Sequence, residues 1–470
     1  MQKSYFKKSF ATVLLSCIFF VGFKYFLPKR IFPDTTVIDN FITVDSLMLE
    51  ALTGKNIDTV LKQNTTISPE RPASKPPKDD FPIDQIHITH KEQLNDFYEK
   101  LHQLELTQQG QIRIGYFGDS MTDGDYIVQD LRKLLQENFG GQGVGFVSIT
   151  SESATSRGSI KHSYSNNWKS QSFVNVKKPI KPFGVSGQVF FVKNNGKPNW
   201  VEYKASHQQS ISQIYNPTLF YGYSENKDAY VEITYNGDTT KVRKELQPDK
   251  ILNTLNLSDR NIKSMRLTFV NADSIAFYGI NSSSKQGVLI DNFSSRGNSG
   301  LPLSMFNASL MQNFDKALGN YDLIVLHFGA NVLNYGSLNY SWYEKGMTKV
   351  VDQIKKCFPS ASILIVSTAD KSTKYQMEMK TDSAVLPLTL AQAKYAAENS
   401  CGFINLYELM GGRNSMVEWV QADPSLATKD YTHFNAKGSK KIAELLYNKI
   451  INDYNNYKTQ TYKTTDTVHN

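Results

Sequence analysis

Cysteine is scarce: Cys17, Cys357 and Cys401 are the only three in 470 residues. So few thiols exclude a disulfide framework. Cys357 and Cys401 would meet if their segments pack side by side, but buried free thiols are the plainer reading. A dinucleotide fingerprint is also missing. The run Gly140-Gly141-Gln142-Gly143-Val144-Gly145-Phe146 follows a helical pattern instead of opening one after a strand, so it reads as a chain reversal. His87-x-x-His90 has metal-like spacing but no accompanying acidic or cysteine pattern, which leaves two exposed histidines and no zinc motif. Acidic residues are absent from residues 1–30, which hold Lys3, Lys7, Lys8, Lys24, Lys29 and Arg30. Of the formal charge of +8 these six account for most, leaving +2 for the rest. The basic balance is therefore a property of the N-terminus and gives no case for nucleic-acid binding.

Long apolar runs are confined to residues 10–23, flanked by Lys7-Lys8 and Lys24. That is signal-peptide length; extended to Leu27 it approaches a membrane span, with Lys24 reaching the interface. Leu27-Pro28-Lys29-Arg30 follows in place of a small-residue cleavage site, so an uncleaved signal anchor over residues 1–30 is favoured over a cleaved peptide. Residues 31–82 gather Pro69, Pro72, Pro76, Pro77 and Pro82 among lysines and serines. They read as a flexible linker, either a spacer from a membrane or a tail without a task.

From residue 83 the texture is that of a folded domain. Leu94, Phe97, Leu101 and Leu104 recur at helical spacing. Apolar strand-like runs at 112–117, 287–292, 323–328, 362–367 and 402–406 are each followed by a helical pattern. Alternating strands and helices predict a parallel sheet covered on both faces, with its site beyond the carboxyl ends of the strands. Residues 151–286 differ. Tyr230 to Tyr235 alternates in period two and runs into Asn236-Gly237, a hairpin signal. This predicts an inserted β-sandwich over 151–286 that splits the α/β domain into 83–150 and 287–455, with a polar tail over 456–470. Trp168, Trp200, Tyr221 and Tyr223 would form a sugar-stacking face there, or serve as core and edge aromatics.

Chemistry is concentrated at two places. Gly118-Asp119-Ser120-Met121-Thr122-Asp123-Gly124 lies at a strand-to-helix turn, and Asp430-Tyr431-Thr432-His433 precedes a late helix. A serine hydroxyl needs an adjacent base held by a third group, and Ser120, His433 and Asp430 supply those three types. Alone, Asp430 would equally serve as a helix cap, and Asp119 would steady its turn. His327, inside a strand, reads as a core histidine.

With Arg296-Gly297-Asn298-Ser299-Gly300 and Gly329-Ala330-Asn331, the chain holds four short blocks in order. In these it resembles the SGNH family of GDSL-type esterases and lipases, over about residues 110–150 and 286–455. The resemblance implies a three-layer, flavodoxin-like α/β fold with an inserted β-sandwich. It further implies a triad of Ser120, Asp430 and His433, an oxyanion hole from Ser120, Gly300 and Asn331, and no metal or organic cofactor. Gly297 is the alternative to Gly300. Val332 departs from the family, which often has aspartate there.

An anchored domain of this kind with a β insert is similar to bacterial peptidoglycan O-acetylesterases. That implies removal of O-acetyl groups from an extracytoplasmic polysaccharide, with the insert helping to hold the glycan and the catalytic domain in the periplasm or outside the cell. An O-acetyltransferase served by a membrane-bound acyl donor, and an inactive glycan-binding scaffold, are the alternatives.

Overall fold

The computed structural model describes residues 47–48, 91–193, 195–206, 212–333 and 338–466. Residues 1–30 and His87 and His90 lie outside them, as does most of the segment read as a linker. Among the described residues, no helix is long and apolar enough to cross a membrane.

Five strands build a parallel sheet: β1 (Gln111–Gly118), β2 (Gly287–Asn292), β3 (Leu323–His327), β4 (Ser362–Val366) and β5 (Gly402–Ile404). Their order is β2-β1-β3-β4-β5. This order reverses direction at β1, and α/β sheets place ligands at such a switch point, beyond the carboxyl ends of the strands. The runs read from sequence thus became strands within two residues. Each is apolar on both faces because both faces are covered: Ile324 and Leu326 of β3 pack one way, Leu323 and Val325 the other. Helices α1 (Asn95–Thr107) and α2 (Val128–Phe139) contribute to the core that holds Leu323. Helices α3 (Ala308–Leu318), α4 (Ser341–Cys357) and α5 (Val385–Glu398) contribute to the core that holds Ile324. The last helix, α6 (Ala436–Asp466), runs on through much of the segment read as a polar tail. Tyr454 and Tyr457 fasten it, donating to Glu105 and Glu99 of α1 at 2.6 and 2.7 Å.

The insert is a two-sheet antiparallel sandwich, but it begins earlier than residue 151. Strand Gly143–Ser148 already pairs with Phe277–Ser283, so the glycine-rich run is a strand and not only a reversal. It passes close to β2: a Cβ on Gly145 would lie 2.3 Å from Asp291 Oδ1, and glycine there permits the approach. The inner sheet has two buried faces. Phe190, Leu219 and Phe277 meet the outer sheet, while Val189, Phe220 and Tyr278 join the core of α3–α5. Phe220 stacks on Phe314 of α3 and Tyr278 meets it edge-on, with ring centroids 5.6 and 5.3 Å apart. Insert and α/β domain therefore share one core. Met48, within the segment read as a linker, is fully buried in it.

The four aromatics do not form one sugar-stacking face. Trp168 packs edge-on to Phe269 inside the sandwich, and Tyr221 is buried. Trp200 lies under the Arg266 guanidinium and Tyr223 stands exposed. Cys357 and Cys401 are buried free thiols, each pushed up to about 12 by burial.

Candidate active site

Strand β1 ends at Gly118, where the chain turns at once. A Cβ on this residue would lie 2.1 Å from Thr122 Oγ1, so glycine is what allows so tight a turn. The turn leaves Ser120 half-buried past the strand end. Asp119, only 2% exposed, steadies it from below. Its Oδ1 accepts the Met121 N–H at 2.9 Å, and its Oδ2 accepts the Gly329 and Ala330 N–H groups at 3.2 Å. Burial pushes this carboxyl up to about 6, against the opposing pull of those N–H groups and of His433. The sequence reading of Asp119 reached its own turn but not this bridge to the third block.

His433 lies in the loop before α6. Its Nε2 is 3.2 Å from Ser120 Oγ, and its Nδ1 is 2.7 Å from Asp430 Oδ2. A carboxylate beside Nδ1 holds the ring hydrogen there and leaves Nε2 to accept from the serine hydroxyl. Asp430 Oδ1 accepts from Thr432 N at 2.9 Å, His433 N at 3.0 Å and the Thr428 hydroxyl at 2.6 Å. Partial burial opposes ionisation of Asp430, but the bonds from His433, Thr428 and the backbone outweigh it. They hold the carboxyl well below the usual carboxylate range. Asp430 is not the helix cap. That position belongs to Asn435, whose Oδ1 accepts the N–H groups of Lys437 and Gly438, both at 3.0 Å. The His433 and Asp430 side chains are 44% and 49% exposed, so water reaches both.

The two remaining blocks meet through Asn298, which sequence reasoning passed over. Asn298 Oδ1 accepts the Gly300 N–H at 2.9 Å, and Asn298 O accepts from Asn331 Nδ2 at 3.2 Å. An asparagine two residues before a glycine is the sequence signal for such a turn. Asn331 Nδ2 carries a second hydrogen, so the amide is fixed and can still donate. The single Gly300 N–H is engaged, at φ +93°. It would reach an oxyanion only by sharing itself with Asn298. Val332, standing where the resemblance expects aspartate, is fully buried in the apolar core, so that position serves packing. His327 is buried, with Nδ1 2.7 Å from Tyr116 Oη, and burial lowers it to about 4. It is a core histidine.

Residues 278–441 match the model of the GDSL-like Lipase/Acylhydrolase family. That span holds Gly300, Asn331, Asp430 and His433, while Ser120 precedes it. No curated protein is similar enough in sequence to match. Among solved structures, a peptidoglycan O-acetylesterase is similar over 77% of this chain and 96% of its own, at 21% identity and TM-score 0.62. An acetyl xylan esterase covers 35% of this chain and 81% of its own, at 19% identity and TM-score 0.27. A family two carbohydrate esterase from Cellvibrio japonicus covers 63% and 98%, at 9% identity and TM-score 0.23. Residues 278–441 are thus similar to the GDSL-like Lipase/Acylhydrolase family, and the chain shares its fold with the peptidoglycan O-acetylesterase.

Proposed function

We propose that the protein is a serine esterase that removes O-acetyl groups from an extracytoplasmic polysaccharide such as peptidoglycan. The observation that carries this is the unbroken chain of bonds from Ser120 Oγ through the His433 ring to Asp430. The fold shared with a peptidoglycan O-acetylesterase supports the substrate class. Residues 1–30 would anchor the chain in the cell envelope, with the catalytic domain outside the cytoplasm.

In this reading Ser120 Oγ attacks the acetyl carbonyl as its proton passes to His433 Nε2. Asp430 keeps the ring oriented and stabilises its charged form. The negative oxygen is met by the free hydrogen of the Asn331 amide and the Ser120 backbone N–H, with Gly300 joining as it shares its bond with Asn298. The C–O bond to the sugar then breaks, and His433 returns the proton to the leaving sugar oxygen. Water, deprotonated by the same nitrogen, releases acetate from Ser120. The exposure of His433 favours water as acceptor over a second sugar hydroxyl.

The test is acetate release from O-acetylated peptidoglycan by the full chain and by Ser120→Ala. We expect free acetate from the parent and a loss of about 10³-fold or more in the variant, with thermal unfolding unchanged. Comparable rates would overturn the nucleophile. Ser120-dependent transfer to an added glycan without free acetate would make it a transferase.

A further inference from the structure

The +2 left outside residues 1–30 conceals an uneven distribution. Residues 153–201 contain no aspartate or glutamate, yet hold Arg157 and seven lysines. That stretch alone carries +8, which leaves −6 for everything outside it and the first thirty residues. The rest of the insert is balanced: residues 202–286 hold ten basic and nine acidic side chains.

The fold gathers this charge along one side of the sandwich. Strand Trp168–Ser172 ends the inner sheet, and strand Ile160–Tyr164, which carries Lys161, ends the outer one. At one end of Trp168–Ser172, Asn167 Nδ2 donates to Lys197 O at 3.1 Å, and Lys193 follows Val192, the strand partner of Trp168. Lys169 projects on the same side of the strand as Gln171, two residues on. At the other end Gln171 Oε1 accepts the Ile180 N–H at 2.8 Å. That bond pins Lys177-Lys178-Pro179-Ile180-Lys181-Pro182 beside the strand. The five strand residues spread these groups over about 17 Å. Lys169, Lys178, Lys193 and Lys197 are exposed, and neither they nor Lys181 form an ion pair among the described residues. Ile180 stands 53% exposed among them, between two prolines that stiffen the loop.

Lysine on an edge strand deters pairing with other chains, and that accounts for Lys169. It does not account for Lys178, Lys181, Lys193 and Lys197, which lie outside the strands, or for an isoleucine held in water beside them. A row of unpaired cations around an apolar side chain matches an anionic surface with an apolar layer beneath it. The lysines meet the headgroups and the isoleucine meets the acyl boundary. A soluble anionic polymer would satisfy the charges but would not bury Ile180 in an apolar medium.

We propose that this side of the insert is a membrane-docking surface for anionic phospholipid, with Ile180 entering the headgroup boundary. Nothing in it depends on the esterase reading. Residues 1–30, read as an anchor, would bring the chain to the same kind of surface. A tether alone leaves the domain free to turn. A second contact through the insert fixes which side faces the lipid, and each contact raises the effective concentration of the other.

The test uses the full chain in vesicles of phosphatidylcholine, with or without phosphatidylglycerol. Cys17→Ser leaves the buried Cys357 and Cys401 as the only native thiols, and Ile180→Cys then takes an environment-sensitive dye. We expect its emission to rise several-fold and shift to the blue only where phosphatidylglycerol is present. About 1 M salt, which screens charges beyond about 3 Å, should reverse the change. Lys169→Gln, Lys178→Gln and Lys181→Gln together should cut the response about tenfold or more, with thermal unfolding unchanged. The same dye on Thr239→Cys, in the turn at the opposite edge of the outer sheet, should stay silent. Equal emission in both vesicles, a response at 239 equal to that at 180, or a full response from the lysine variant overturns the proposal. A response to soluble peptidoglycan fragments but not to vesicles also overturns it, and makes this side a polymer-binding surface. The dye reports contact and not turnover. A responding dye on a chain that cleaves no ester sinks the esterase reading alone, and a silent dye on an active esterase sinks the docking surface alone.

Discussion

Asp119 shows how much one side chain can settle at this site. Three backbone N–H groups from two separate loops converge on its carboxylate. The turn that carries Ser120 and the loop that carries Asn331 are thereby held at a fixed separation. The arrangement costs stability when the group ionises, because burial lifts its pKa to about 6 from 3.8. Between those two values the folded chain holds a proton that the unfolded chain has released. The contribution of Asp119 to stability is therefore largest below pH 4 and declines as pH rises toward 6. Asp119→Asn removes that slope. The stability difference between parent and variant, measured by urea unfolding, should shrink by roughly 2 kcal/mol from pH 4 to pH 7. A difference that does not vary with pH would show that the carboxyl is not raised. Asp430 is perturbed in the opposite direction, and the contrast follows from its greater exposure and its protonatable partner.

Between elements, the equivalent device is the knot around Asp291. Its carboxylate pairs with Arg113 Nε at 2.7 Å and Nη2 at 2.9 Å, and accepts from Tyr321 Oη at 2.6 Å and Phe146 N at 2.7 Å. Arg113 also donates to Asn281 Oδ1 of the insert at 2.7 Å. One buried ion pair so joins β1, β2 and two strands of the sandwich. Asp291→Ala would strand a buried guanidinium and should destabilise the fold by about 3–5 kcal/mol, read as a lowered denaturation midpoint. A loss below 1 kcal/mol would mean the pair is solvated in practice. This knot also marks where sequence reasoning ran short. The five parallel strands were legible because doubly covered strands are continuous apolar runs. That Ser120, His433 and Asp430 would come together was legible because nucleophilic acyl chemistry restricts residue types. Strand Gly143–Ser148 was not, because the glycines that let it pass Asp291 erase the strand signature. The end of α6 was missed because polar residues surround the two tyrosines that dock it. Asn298 was missed because its function lies in backbone bonds across loops.

Across the whole molecule, the inner sheet of the insert decides how the protein unfolds. Had the sandwich been a separate module, its inner sheet would turn a polar face to the α/β domain. Instead Val189, Phe220 and Tyr278 lie in the same core as Phe306, Phe314 and Phe328. Phe173 stacks on Phe306 with centroids 5.7 Å apart. Neither part can lose the other without exposing a broad apolar face, and burial of such faces is the main favourable term in folding. The described residues should therefore unfold as one unit. In scanning calorimetry on the full chain we expect a single transition from them, with calorimetric and van't Hoff enthalpies in agreement. Two separated transitions, with Ser120-dependent ester cleavage surviving the first, would show that the sandwich folds alone. The shared core would then be a contact surface between modules. A single transition would instead mean that the sandwich and the α/β domain form one cooperative unit.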